Sequence, residues 1–166
     1  AIGANVAFML NRCHSVPRGA RVDVLLDTWF ADYATLEKHH GWVQWVLPTA
    51  ERSAFNPLAS PLTAAEVRFI LDDLRAAARV VECLRLFFNF VGYELRPDDD
   101  AVVRSRNHAA RAFNMQARKH NFLRITRALK CASRLGFHRY AMRFAERLTA
   151  DAGDGGTLWC VQRALR

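Results

Sequence analysis

A chain of 166 residues that is 51% apolar can build one hydrophobic core without disulfide or metal staples, and even its apolar stretch at 80–92 contains Glu82 and Arg85, which excludes a membrane-spanning helix there. The formal charge of +8 is unevenly spread: residues 1–103 hold 10 Lys+Arg against 13 Asp+Glu (−3), and residues 104–166 hold 14 against 3 (+11). Cys13, Cys83, Cys131 and Cys160 are far apart with no C-x-x-C pair, which points to free thiols in a reducing intracellular compartment rather than a disulfide framework.

Residues 1–21 read as an N-terminal arm, since the apolar patch at 6–10 is followed by Asn11, Pro17 and Gly19. The chain begins at Ala1 rather than Met, as a fragment or processed form would. Asp23 opens a predicted helix to about His39, with Leu25, Leu26, Trp29, Tyr33 and Leu36 recurring at three and four residues. Residues 42–47 form a short helix or an extended piece, closed by Pro48. Ser53, Asn56, Pro57, Ser60 and Pro61 mark a loop. Thr63 and Glu66 then have the spacing of a capping box, so a helix starts at Ala64; a break at Asp72 and Asp73 separates it from a second, ending at Gly92.

Asp98 to Asp100 read as a turn feeding a helix that carries Val102, Val103, Ala109, Phe113 and Met115 and ends near Lys119, with Asn107 as a candidate break. In the next helix Phe122, Ile125, Ala128, Leu129, Ala132 and Leu135 share one arc, and Arg127, Lys130 and Arg134 lie opposite. Asn121 is the expected cap and Gly136 the expected left-handed stop. A helix over 138–149 presents Tyr140, Phe144 and Leu148 and ends at Gly153, Gly155 and Gly156; the tail has a short docking helix with Trp159 and Leu165 as an apolar patch. No strand-like alternation is visible. The predicted fold is therefore all-α, a single globular domain of about seven helices, divided into the arm at 1–21, the helical domain at 22–149 and the tail at 150–166.

Chemistry is sparse. The six histidines lack metal-ligand spacing, no glycine-rich loop opens a helix, and no nucleophile and base stand in a motif, so no enzyme, cofactor or metal is expected. Two clusters stand out. His39, His40, Trp42, Gln44 and Trp45 suit either a wet aromatic pocket for a peptide or base, or an ordinary core. Arg104, Arg111, Arg118, Arg127, Lys130, Arg134, Arg139, Arg143 and Arg147 would bind an anionic partner if their helices converge.

The run Leu36-Glu37-Lys38-His39-His40-Gly41-Trp42-Val43-Gln44-Trp45-Val46-Leu47-Pro48 and the later Asn121-Phe122-Leu123-Arg124-Ile125-Thr126-Arg127 resemble, in order, the conserved N-terminal domain of the opioid growth factor receptor family. The likeness covers about 22–148, and departs from the family after Pro48, where residues 49–54 replace an Arg/Glu/Gly-rich turn. The resemblance implies an all-helical domain without a catalytic motif, in proteins linked to Met-enkephalin binding, inhibition of cell proliferation and, in animals, the nucleus. A protein or peptide is thus the expected partner. The alternative is a nucleic-acid-associated or structural subunit of a larger assembly, using the basic surface of 104–147.

Overall fold

The computed structural model describes residues 2–152 and 155–164, which fall into two compact units, 1–86 and 87–166. Within them run α1 (Ala4–Met9), α2 (Val22–Thr28), α3 (Tyr33–Lys38), α4 (Val43–Val46), α5 (Ala64–Asp72), α6 (Leu74–Phe90), β1 (Tyr93–Arg96), β2 (Ala101–Arg104), α7 (His108–Ala117), α8 (Asn121–Arg134), α9 (His138–Asp151) and α10 (Gly155–Ala164). The fold is mostly helical, but the described residues hold ten helices rather than seven, and a hairpin that the sequence did not announce. None of these helices is long and apolar enough to cross a membrane. Leu165 and the Trp159 side chain, expected as an exposed patch, lie outside what is described.

The first unit closes over Phe8, Met9, Leu25, Leu36, Trp42, Val46, Leu47 and Ile70, all at most 1% exposed. The predicted helix at 23–39 is interrupted. Ala31 adopts φ 62°, in the left-handed region between the two pieces, and Asp32 Oδ1 caps α3 by accepting from Thr35 N at 3.1 Å. The capping box forms as expected, with Thr63 Oγ1 accepting from Glu66 N and Glu66 Oε2 accepting from Thr63 N. Glu66 is also buried against the arm, because its Oε1 accepts from Asn5 N at 3.0 Å. The break at the aspartates is present too, and Asp73 Oδ1 caps α6 through Arg75 N and Ala76 N. Arg79 joins three helices, donating to both Asp23 carboxylate oxygens and to the Met9 carbonyl.

In the second unit β1 and β2 pair antiparallel with Tyr93 opposite Arg104 and Arg96 opposite Ala101. Tyr93 and Leu95 point inward while Glu94 and Arg96 face solvent, a period of two only four residues long. The acids at 98–100 serve the hairpin turn, where Asp100 adopts φ 54°, rather than a helix start. Gly92 turns the chain into β1 at φ 98°. The basic helix α8 has both α9 and α10 packed on it. Nine of its fourteen residues are buried, so its apolar arc is wider than periodicity predicts. Asn121 does not hold the cap position, which falls to His120; buried at the first helical position, its Oδ1 accepts from Arg124 Nη1 at 3.2 Å. Gly136 does act as the stop, at φ 80°, and the Gly136 and Phe137 amides donate to Ser133 and Ala132 in a Schellman motif.

Candidate functional site

The His39–Gly41 stretch, in the first unit, follows α3 directly and forms one wall of an open cleft of about 340 Å³. His39 is fixed from two sides. Gly41 N donates to its Nδ1 at 3.2 Å, and its Nε2 lies 3.2 Å from the Arg18 carbonyl, so the neutral Nε2–H tautomer satisfies both contacts. A Cβ on Gly41 would lie 3.1 Å from Pro17 Cδ, which shows how closely the 16–19 turn approaches. His40 is exposed beside it. The opposite wall comes from the loop after Pro48. There Ser53 Oγ accepts from Gln44 Nε2, Phe55 N and Asn56 N, a side-chain turn that sends Phe55 outward and Asn56 inward.

Asn56 forms the floor. It is 2% exposed, and its Nδ2 donates to the Val16 carbonyl at 2.7 Å and the Gly41 carbonyl at 3.1 Å. Because both partners are carbonyls, the amide orientation is settled by chemistry. Its Oδ1 is left buried with no hydrogen-bond partner among the described residues, as is Gln44 Oε1. Trp45 Nε1 also donates to Val16, at 3.0 Å, and Trp42 Nε1 donates to Leu36. Of the predicted aromatic cluster, then, His39 and His40 line the cleft, while Trp42, Trp45 and Gln44 are buried structural members with their N–H groups committed. The indoles present no stacking face to solvent.

Four lining residues escaped the sequence reading. Arg18 and Lys38 bring positive charge, and Phe55 and Leu58 are large apolar side chains left 73% and 62% exposed. The only sequence signal was Phe55 and Leu58 flanking Asn56-Pro57, since a loop does not normally spend large apolar residues on solvent.

Of the nine cations singled out in the second unit, four face carboxylates and Arg111 is buried. Arg104 donates from Nε and Nη2 to both oxygens of Asp151, whose side chain is 7% exposed. Arg147 Nε and Tyr93 Oη donate to the same carboxylate at 3.3 and 3.1 Å, and His108 Nε2 approaches it at 3.9 Å. The Arg104 hydrogen bond, outweighing burial and helped by Tyr93 and Arg147, holds the Asp151 carboxyl below its usual range. Burial, then the Asp151 charge, drives the Tyr93 phenol in the opposite direction, upward. Arg139 pairs with Asp100 and Arg143 with Glu146. Arg111 is buried with Nε on the Phe90 carbonyl at 2.7 Å and its guanidinium 4.9 Å from the Phe90 ring centroid. Arg127 and Lys130 are half-buried on α8, whereas Arg118 and Arg134 are exposed. A small cavity of about 60 Å³ lies beside Tyr93, His108 and Asp151.

These features define a mostly helical domain with a small cleft framed by hydrogen bonds. The family model for the opioid growth factor receptor (OGFr) conserved region matches residues 2–152, and the chain belongs to that family. The chain is similar to the opioid growth factor receptor of Rattus norvegicus, 34% identical over 137 residues that cover 82% of this chain and 23% of the relative. It is 33% identical to that of Homo sapiens over 137 residues, 82% of this chain and 20% of the relative. It is 31% identical to opioid growth factor receptor-like protein 1 of Xenopus tropicalis over 136 residues, 82% of this chain and 26% of the relative. The matched stretch thus spans about a quarter of these relatives or less. No solved structure matches the chain.

Proposed function

We propose that this domain is a non-enzymatic docking module that holds a protein segment or peptide in the cleft between the 39–41 turn and the 53–58 loop. The observation that carries this reading is the exposure of Phe55 and Leu58 on a frame whose neighbours, Ser53 and Asn56, are fixed by hydrogen bonds. Apolar side chains held out on a rigid frame lose little freedom when a partner covers them, which favours binding. The non-enzymatic part of the reading is supported by His39, whose two ring nitrogens are committed to backbone partners. The relatives' names, receptor and receptor-like, are in keeping with a binding role.

Selection of a randomised phage-displayed library of peptides about a dozen residues long tests the reading. The expected result is enrichment on the wild type and none on Phe55→Ser/Leu58→Ser, two exposed substitutions that leave the thermal unfolding curve in place. Failure to enrich, or enrichment indifferent to the double substitution, overturns it.

A further inference from the structure

The cleft's lining narrows what it would hold. Among the described residues its two permanent charges, Arg18 and Lys38, are both positive and exposed, and no carboxylate lines it. Arg18 is rooted in a fixed backbone: it adopts φ 51° and its carbonyl is bound by His39. Lys38 is the last residue of α3, adjacent to His39. This positive pair stands in a unit that is otherwise balanced, because residues 1–86 carry 9 Lys+Arg and 9 Asp+Glu. A balanced unit offers no extended positive field to a polyanion, whose affinity grows with the number of phosphates neutralised together. A local pair of cations beside exposed apolar side chains instead matches a short segment that combines acid and apolar groups.

We propose that the cleft takes an acidic peptide segment, its carboxylates against Arg18 and Lys38 and an adjoining aromatic or aliphatic side chain against Phe55 and Leu58. Apolar contact supplies most of the affinity, and the exposed cations contribute selection and rate, both weakened by salt. The proposal rests on the docking reading above and adds to it the sign of the partner's charge.

The experiment uses the clones enriched in the library selection. Acidic residues next to aromatic or aliphatic ones are expected to be over-represented among them. The best clone, synthesised with a fluorescein label, should bind the wild type roughly tenfold more tightly than its Glu→Gln, Asp→Asn counterpart. That ratio should fall towards one on Arg18→Gln/Lys38→Gln and at about 0.5 M NaCl, where screening is nearly complete. Clones without acidic excess, or neutral counterparts that bind as tightly, overturn the charge preference while the docking reading stands. No enrichment overturns both. A labelled single-stranded oligonucleotide that binds more tightly than the acidic peptide and is lost on Arg18→Gln/Lys38→Gln overturns the choice of a peptide as occupant.

Discussion

Two carboxylates show how differently an acid is used when it is buried. Glu66 accepts from Asn5 N and Nδ2 on one side and from Thr63 N and Oγ1 on the other, so every group facing it is a donor. In Glu66→Gln an amide NH2 must face one of those donors, and the expected loss is about 2 kcal/mol in the urea unfolding free energy. Asp151 instead gathers cations. Its folded pKa is depressed, first by Arg104, so its contribution is complete above the ordinary carboxylate value of about 3.9 and disappears as pH falls through the lower folded value. Asp151→Asn is expected to cost about 1–3 kcal/mol at pH 7. Urea midpoints measured between about pH 5 and pH 2 should decline less steeply in that variant than in the wild type.

Among the elements, α8 is stopped by Gly136 and the α6–β1 passage is turned by Gly92, both at positive φ. Gly136→Ala should cost about 1 kcal/mol through backbone strain alone. Gly92→Ala should cost more, since its Cβ would also lie 2.9 Å from the Arg111 Cβ; chemical denaturation of the pair gives the ranking. These stops, the capping box at Thr63 and the break at Asp73 were legible because each is written in neighbouring residues. The hairpin was not, because four-residue strands are too short to show alternation and their valines also fit a helix. Nor could periodicity reveal how far α8 is enclosed. Arg124 and Thr126 are buried, as a local arc cannot foresee, because α9 and α10 both pack on this helix. Of the cleft, the histidines were legible and the cations were not, because Arg18 and Phe55 meet only through hydrogen bonds that converge on Val16 and Gly41 from far along the chain.

For the molecule as a whole, net charge is a poor guide to partner. Residues 87–166 hold the entire excess, yet Arg104, Arg139, Arg143 and Arg147 already face carboxylates and Arg111 is buried on Phe90. Labelled duplex DNA is therefore expected to bind no tighter than the non-specific range, about 10⁻⁵ M at physiological salt, by fluorescence anisotropy. A different consequence follows from the backbone bond between Leu62 N and the Thr49 carbonyl at 2.8 Å, which brings together the two ends of the segment that carries Phe55 and Leu58. A loop whose ends meet can change length or sequence at little entropic cost to the elements on either side. The outer wall of the cleft, with Phe55 and Leu58, lies within this closure. Exchanging residues 50–61 for the corresponding loop of a relative should transfer ligand preference while shifting the melting temperature by only a few degrees.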